Sequence, residues 1–184
     1  MSDLTITTAG VSESKVSGGE FLSSDKKLNQ MKVDVISITP ETATSECSAG
    51  EVVFQADEVE NMVAVKGGTC ILQSITLLDD DDHGESIDIV FNSGNGLLDA
   101  STAGSTPIDV DDDTSSVPGG ILGVVTVSSY FDGVNWKLGT KENIGLVLKA
   151  ADDTRSIYIS AVNRGSAQTW TASGLHLKLG VVQD

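Results

Sequence analysis

Aromatic side chains are scarce in this chain: four Phe, two Tyr and two Trp, 4% of 184 residues. Val, Ile, Leu and Ala must therefore fill the core. The few large amphipathic side chains, Tyr130, Trp136, Tyr158 and Trp170, stand out as candidates for stacking on a sugar or anchoring a protein interface. Proline is rarer, with three residues against 19 glycines, a balance that suits many tight turns between short strands. Cysteine is limited to Cys47 and Cys70. A single domain of this length can bury roughly 70% of its unfolded surface, so it needs neither disulfide nor metal for stability. No run approaches the roughly 18 apolar residues of a membrane span. The opening Met-Ser-Asp-Leu-Thr-Ile-Thr-Thr has no basic, then apolar, leader pattern, so no signal peptide is visible. Synthesis and residence in a reducing cytoplasm, with both thiols reduced, is the expectation.

Positive charge is also lacking. Eleven Lys and Arg face 27 Asp and Glu, a net charge of −16. Residues 1–40 carry net −1, residues 41–116 net −16, with Lys66 the only basic residue there, and residues 117–184 net +1. A middle third this acidic repels phosphate backbones, so nucleic-acid binding is disfavoured. It serves solubility, or faces solvent or a basic partner surface.

What is present is strand patterning. Leu175, Leu177, Leu179 and Val181 alternate with His176, Lys178, Gly180 and Val182, the period of a strand with one face in a core. Strands are predicted over residues 33–38, ended by Pro40, then 52–54, 62–65, 70–78, 86–91, 121–130, 143–150 and 154–162. Residues 143–150 and 154–162 read as a hairpin turning at Asp152-Asp153. Residues 97–120 are the longest loop, where contacts tend to be made. Residues 1–30 read as an extended N-terminal arm, with a helical turn or two starting at Ser24. Eight to ten short strands with almost no helix predict an all-β, antiparallel β-sandwich or barrel of jelly-roll or Greek-key kind over residues 31–184. There is no internal repeat.

No catalytic constellation emerges. The run from Asp79 to Glu85 offers Asp at EF-hand positions 1 and 3 and Gly84 at position 6, but His83 and Val90 stand where later oxygen ligands are needed. Asp109, Asp111 and Asp113 start a similar pattern that Thr114 and Gly120 break. Solvated acidic turns are the expectation for loops 79–85 and 109–113, with divalent binding left open. His83, His176 and two distant cysteines do not make a zinc site. His176 lies opposite the leucines of its strand, as a surface or interface residue would. Cys70 sits in an apolar strand as a small hydrophobe. There is no G-x-S-x-G element. The expectation is no enzyme, no cofactor, no metal and no catalytic residue.

Three segments carry a resemblance: residues 67–82, Gly-Gly-Thr-Cys-Ile-Leu-Gln-Ser-Ile-Thr-Leu-Leu-Asp-Asp-Asp-Asp; residues 143–165, Asn-Ile-Gly-Leu-Val-Leu-Lys-Ala-Ala-Asp-Asp-Thr-Arg-Ser-Ile-Tyr-Ile-Ser-Ala-Val-Asn-Arg-Gly; and residues 171–181, Thr-Ala-Ser-Gly-Leu-His-Leu-Lys-Leu-Gly-Val. In strand texture and turn phrases they resemble capsid cement, or decoration, proteins of podophages and related tailed phages, across roughly residues 62–184. The resemblance implies a jelly-roll-like virion protein on the outer capsid surface, made in the host bacterial cytoplasm. It would bridge neighbouring major capsid proteins as a homo-oligomer, dimer or trimer, without contacting nucleic acid or membrane. It carries over no site residues. A lectin-like part, with Trp136 or Trp170 against a glycan, or a head-fibre or tail component, is the alternative.

Overall fold

The computed structural model describes residues 32–94 and 120–183, together with three short strands nearer the N-terminus. The chain divides into two compact units, Met1–Gln30 and Met31–Asp184. In the first, β1 (Thr5–Ile6), β2 (Ser14–Ser17) and β3 (Glu20–Phe21) pair antiparallel in chain order. The helical turn expected from Ser24 and the loops at 97–119 and 109–113 lie outside the described residues.

The second unit is all-β and antiparallel among its described residues. Its strands are β4 (Lys32–Ile38), β5 (Glu46–Cys47), β6 (Val52–Val59), β7 (Thr69–Asp79), β8 (Ile87–Asn92), β9 (Ile121–Val127), β10 (Tyr130–Asp132), β11 (Lys137–Lys149), β12 (Ile157–Asn163), β13 (Gln168–Thr169) and β14 (Leu175–Gln183). One sheet has the order β10-β11-β7-β14-β4 and the other β6-β12-β8-β9, while β13 pairs with β5. The pairing is nested. Strand β4 lies against β14, β6 against β12, β7 against β11 and β8 against β9. The eight strands form one long folded ribbon, and rolling it brings β14 beside β7 and β12 beside β8. This is jelly-roll topology, the sandwich predicted from the patterning.

Burial follows the period-two pattern. In β14, Leu175, Leu177, Leu179 and Val181 are buried and Lys178 is exposed. They meet Leu72, Ile75 and Leu77 of β7 and, from the second sheet, Ile87, Ile89, Phe91, Ile157 and Ile159. In β7 the buried set runs Cys70, Leu72, then Ile75, Leu77 and Asp79, a phase slip of one residue. A bulge explains it. Gly180 and Val181 of β14 face Ser74 and Leu72, so Gln73 is the extra residue. Opposite it, β11 loops out over Asn143–Gly145, with Asn143 and Gly145 both at positive φ (55° and 68°).

Two expectations fail. Residues 62–65 form no strand; they lie in turns and bends, with Met62 and Val63 plugged into the core. Residues 143–150 and 154–162 form no hairpin. β11 pairs with β7, and β12 lies in the other sheet between β6 and β8. The turn at Asp152-Asp153 is real, but residues 150–156 are long enough to cross the roughly 10 Å between stacked sheets. The predicted strand 121–130 is also split, into β9 and β10.

The two sheets differ in exposure. β8 and β12 are buried on nearly every residue, including Val90, Ser160 and Val162 on the side away from the core centre. The five-stranded sheet keeps an open outer face, which positions the candidate site.

Candidate functional site

Register fixes what the open face presents. Cross-strand partners share a face, so each row of pairs can be followed across the sheet. One end row is Val33, Val182, Ile71 and Val147, from β4, β14, β7 and β11. The next two rows are polar apart from the exposed Val35: Val35 leads into Gly180, Ser74 and Glu142, and Ser37 into Lys178, Thr76 and Thr140. The last row is His176, Leu78, Leu138 and Phe131, reaching β10. The open face thus carries two apolar bands separated by a polar one. Val33 is 74% exposed, Val147 61% and Phe131 66%, an uncommon cost for large apolar side chains unless something covers them.

The β10–β11 hairpin makes the second band the more pronounced. Its turn lifts Val134 almost wholly into solvent and leaves Trp136 partly exposed. The Phe131 and Trp136 rings lie 5.8 Å apart at a 34° tilt. The Gly133 N–H donates to the Trp136 carbonyl at 2.9 Å, and a Cβ on Gly133 would run into the indole. Only glycine lets the ring fold back over the turn. Beside it, Leu78, Leu138, Trp136 and Asp80 line a groove of about 320 Å³.

The four-aspartate run borders this groove, and each carboxylate has a protein task. Asp79 is buried and accepts the N–H groups of Asp81 (3.1 Å), His83 (3.2 Å) and Gly84 (2.9 Å). Asp80 pairs with His176 Nε2 at 2.9 Å, and His176 Nδ1 meets the Thr39 hydroxyl at 2.9 Å. Asp81 accepts the Thr171 N–H and hydroxyl at 2.8 and 2.9 Å. Asp82 faces Lys137 Nζ at 3.4 Å, and Asp132 holds the same ammonium from the other side, raising its pKa. The carboxylates point at N–H, hydroxyl and ammonium donors, not at a common centre. The described residues hold no cluster of three or more His, Cys, Asp or Glu able to grip a metal ion.

The other residues singled out by sequence scatter. Trp170 is only 1% exposed and cannot stack on a ligand, which removes it from the lectin-like reading. His83 lies edge-on to it, ring centres 5.5 Å apart, with Nε2 at 3.0 Å from the Thr169 carbonyl. Tyr130 donates its hydroxyl to the Glu85 carbonyl at 2.7 Å, and burial, with Asp79 and Glu85 nearby, pushes its pKa up. Tyr158 is half-buried on β12. Cys47 and Cys70 are buried and not joined in a disulfide, and burial raises the Cys47 pKa. Of the sequence candidates, Trp136, His176 and Asp80 lie at the open face, Asp80 lining the groove beside Trp136 and pairing with His176. Phe131, Val134, Leu78 and Leu138 were not singled out. Their signal was weak: a short apolar run beyond the core phase, readable as a face only once register is known.

On β6, Asp57 Oδ2 is buried without a hydrogen-bond partner, and burial raises the Asp57 pKa from 3.8, opposed by a hydrogen bond from the Glu41 backbone N–H and reinforced by the Glu41 charge. Because the folded pKa is the higher, the folded state binds more protons between the two values. Stability therefore falls as pH rises through that window, and the loss is complete at neutral pH. Asp57→Asn is expected to raise stability near pH 7 by about 0.5–1 kcal/mol, allowing for partial exposure. The gain should vanish near pH 3. Urea unfolding at both pH values checks it, and an equal gain at both would refute the charge explanation.

No protein-family model matches the chain, and no curated protein matches it. Among solved structures, a chain in the capsid of Ralstonia phage GP4 is similar over 91% of this chain and 93% of that one, with 18% identity and a TM-score of 0.40.

Proposed function

We propose that this protein is a non-enzymatic structural component of a tailed-phage particle. In this reading it decorates the outside of the icosahedral shell and bridges major capsid proteins as a homo-oligomer. The observation that carries it is the open sheet face, with its two exposed apolar bands on a rigid jelly roll. A lone domain gains nothing from exposing Val33, Val147, Phe131 and Val134, whereas a surface pressed against neighbours does. The acidic balance of residues 41–116 favours a protein partner over packaged nucleic acid. The resemblance of residues 67–82, 143–165 and 171–181 to phage cement proteins supplies the particle. Weak contacts repeated around a shell add up to strong retention.

The test is co-sedimentation of the purified chain with undecorated heads, quantified as copies per shell. Saturation at copy numbers on the order of the shell's subunit count is expected. A handful of copies, or none, would reject decoration. A glycan-binding or head-fibre part is the second reading, favoured by the partial exposure of Trp136. It predicts glycan affinity that Trp136→Ala abolishes.

A further inference from the structure

We propose that the groove formed by Leu78, Leu138, Trp136 and Asp80 is a binding site for an arginine side chain presented by an extended segment of a partner protein. The proposal rests on reading the open face as an interaction surface and names the ligand chemistry of one end of it. Three of the four lining residues are apolar or aromatic, and the fourth is a carboxylate. That combination matches a long aliphatic stem ending in a cation. The stem covers Leu78 and Leu138, while the guanidinium reaches both the indole and the carboxylate. Arginine fits better than lysine because its planar head stacks on an aromatic ring and hydrogen-bonds a carboxylate in the same plane. A sugar fits worse. Its hydroxyls need several donors and acceptors around the aromatic platform, and unpaired ones are costly to desolvate.

Charge complementarity points the same way. The Asp80 side chain is half exposed and is held by an imidazole, not by a permanently charged group. Asp80 also belongs to the acidic run Asp79–Asp82, in a chain of net charge −16. The groove therefore lies in a field that favours a further cation. Preorganisation is built in: Asp80 is held by His176, whose other ring nitrogen meets the Thr39 hydroxyl, and Trp136 is folded over Gly133.

The chain has two tryptophans, so its indole N–H resonances report the groove (Trp136) and the core (Trp170) separately. The full chain is titrated with acetyl-Leu-Arg-Leu-amide and with the same peptide carrying neutral, isosteric citrulline. A saturable shift of the Trp136 signal is expected with the arginine peptide, about tenfold weaker with citrulline and weakened by salt. Asp80→Asn should weaken arginine binding by about tenfold. Gly133→Ala should weaken it by displacing the indole. An unmoved Trp170 signal shows that each variant is folded. Equal shifts with both peptides, unchanged affinity in Asp80→Asn, or no shift at all would overturn the proposal. So would a neutral oligosaccharide that moves the Trp136 signal when the arginine peptide does not. Peptide and shell binding are read separately, so either reading can fail while the other stands.

Discussion

Trp170→Ala is expected to lower the unfolding free energy by about 3–5 kcal/mol, the range for removing a fully buried large aromatic side chain. Trp170 follows the short strand β13 and is 1% exposed. It belongs to the same cluster as Leu175, Leu177 and Phe54. Alanine would leave a cavity among strands of both sheets, held open by a hydrogen-bonded ribbon that collapses poorly. The His83 ring, edge-on at 5.5 Å, would lose its partner. Its contact with the Thr169 carbonyl would lose the wall that orients it. Trp170 Nε1 has no hydrogen-bond partner among the described residues, so the indole brings a desolvation cost with its packing. Trp170→Phe should therefore recover more than half of the loss, because it refills most of the volume and removes the unpaired N–H. Urea unfolding followed by far-ultraviolet circular dichroism measures both. A loss below about 1 kcal/mol for the alanine variant would contradict the burial of Trp170.

The difference between Trp170 and Trp136 shows what a sequence can and cannot reveal here. Both are single tryptophans beside turn residues, and both invite the same stacking role. Only tertiary placement separates them, one under the sheets and the other folded over Gly133 at a hairpin tip. By contrast, β14 was legible in full, because an alternating strand with one buried face writes its geometry into the residues. β12 was legible as a strand but not in its pairing. Its buried residues fall on both faces, and nothing in Ile157–Asn163 distinguishes β11 from β6 as a neighbour. The bulge at Gln73 could not be read either, since one extra residue shows only against its partner strand. The apolar bands of the open face depend on register in the same way. Val33, Val147 and Phe131 lie far apart in sequence, and each alone is an ordinary surface hydrophobe.

The four consecutive aspartates are a second case of one motif with two readings, and Asp79 tests which is right. Their alternation of roles follows from the end of β7. Asp79 is the last strand residue and points inward, so its carboxylate is buried beneath the loop that follows. There Oδ1 accepts the Asp81 N–H, and Oδ2 accepts those of His83 and Gly84. Asp82 and Gly84 adopt positive φ (62° and 64°), so the loop is held in a conformation that ordinary residues disfavour. The carboxylate supplies the acceptors that hold it there. Burial raises the Asp79 pKa, while the Gly84 and Asp81 N–H groups act to lower it. Asp79→Ala is expected to cost about 2–4 kcal/mol, because three part-buried N–H groups lose their acceptor together. Asp79→Asn should cost nearly as much. Its amide keeps the shape and the bond from Asp81, but turns an N–H₂ donor toward His83 and Gly84. Amide hydrogen exchange at Asp81, His83 and Gly84 should accelerate in both variants ahead of global unfolding. The Asp80–His176 and Asp82–Lys137 pairs should loosen with the loop that positions them. An Asp79→Asn protein with wild-type stability and unchanged exchange would show that the loop keeps its shape without the carboxylate.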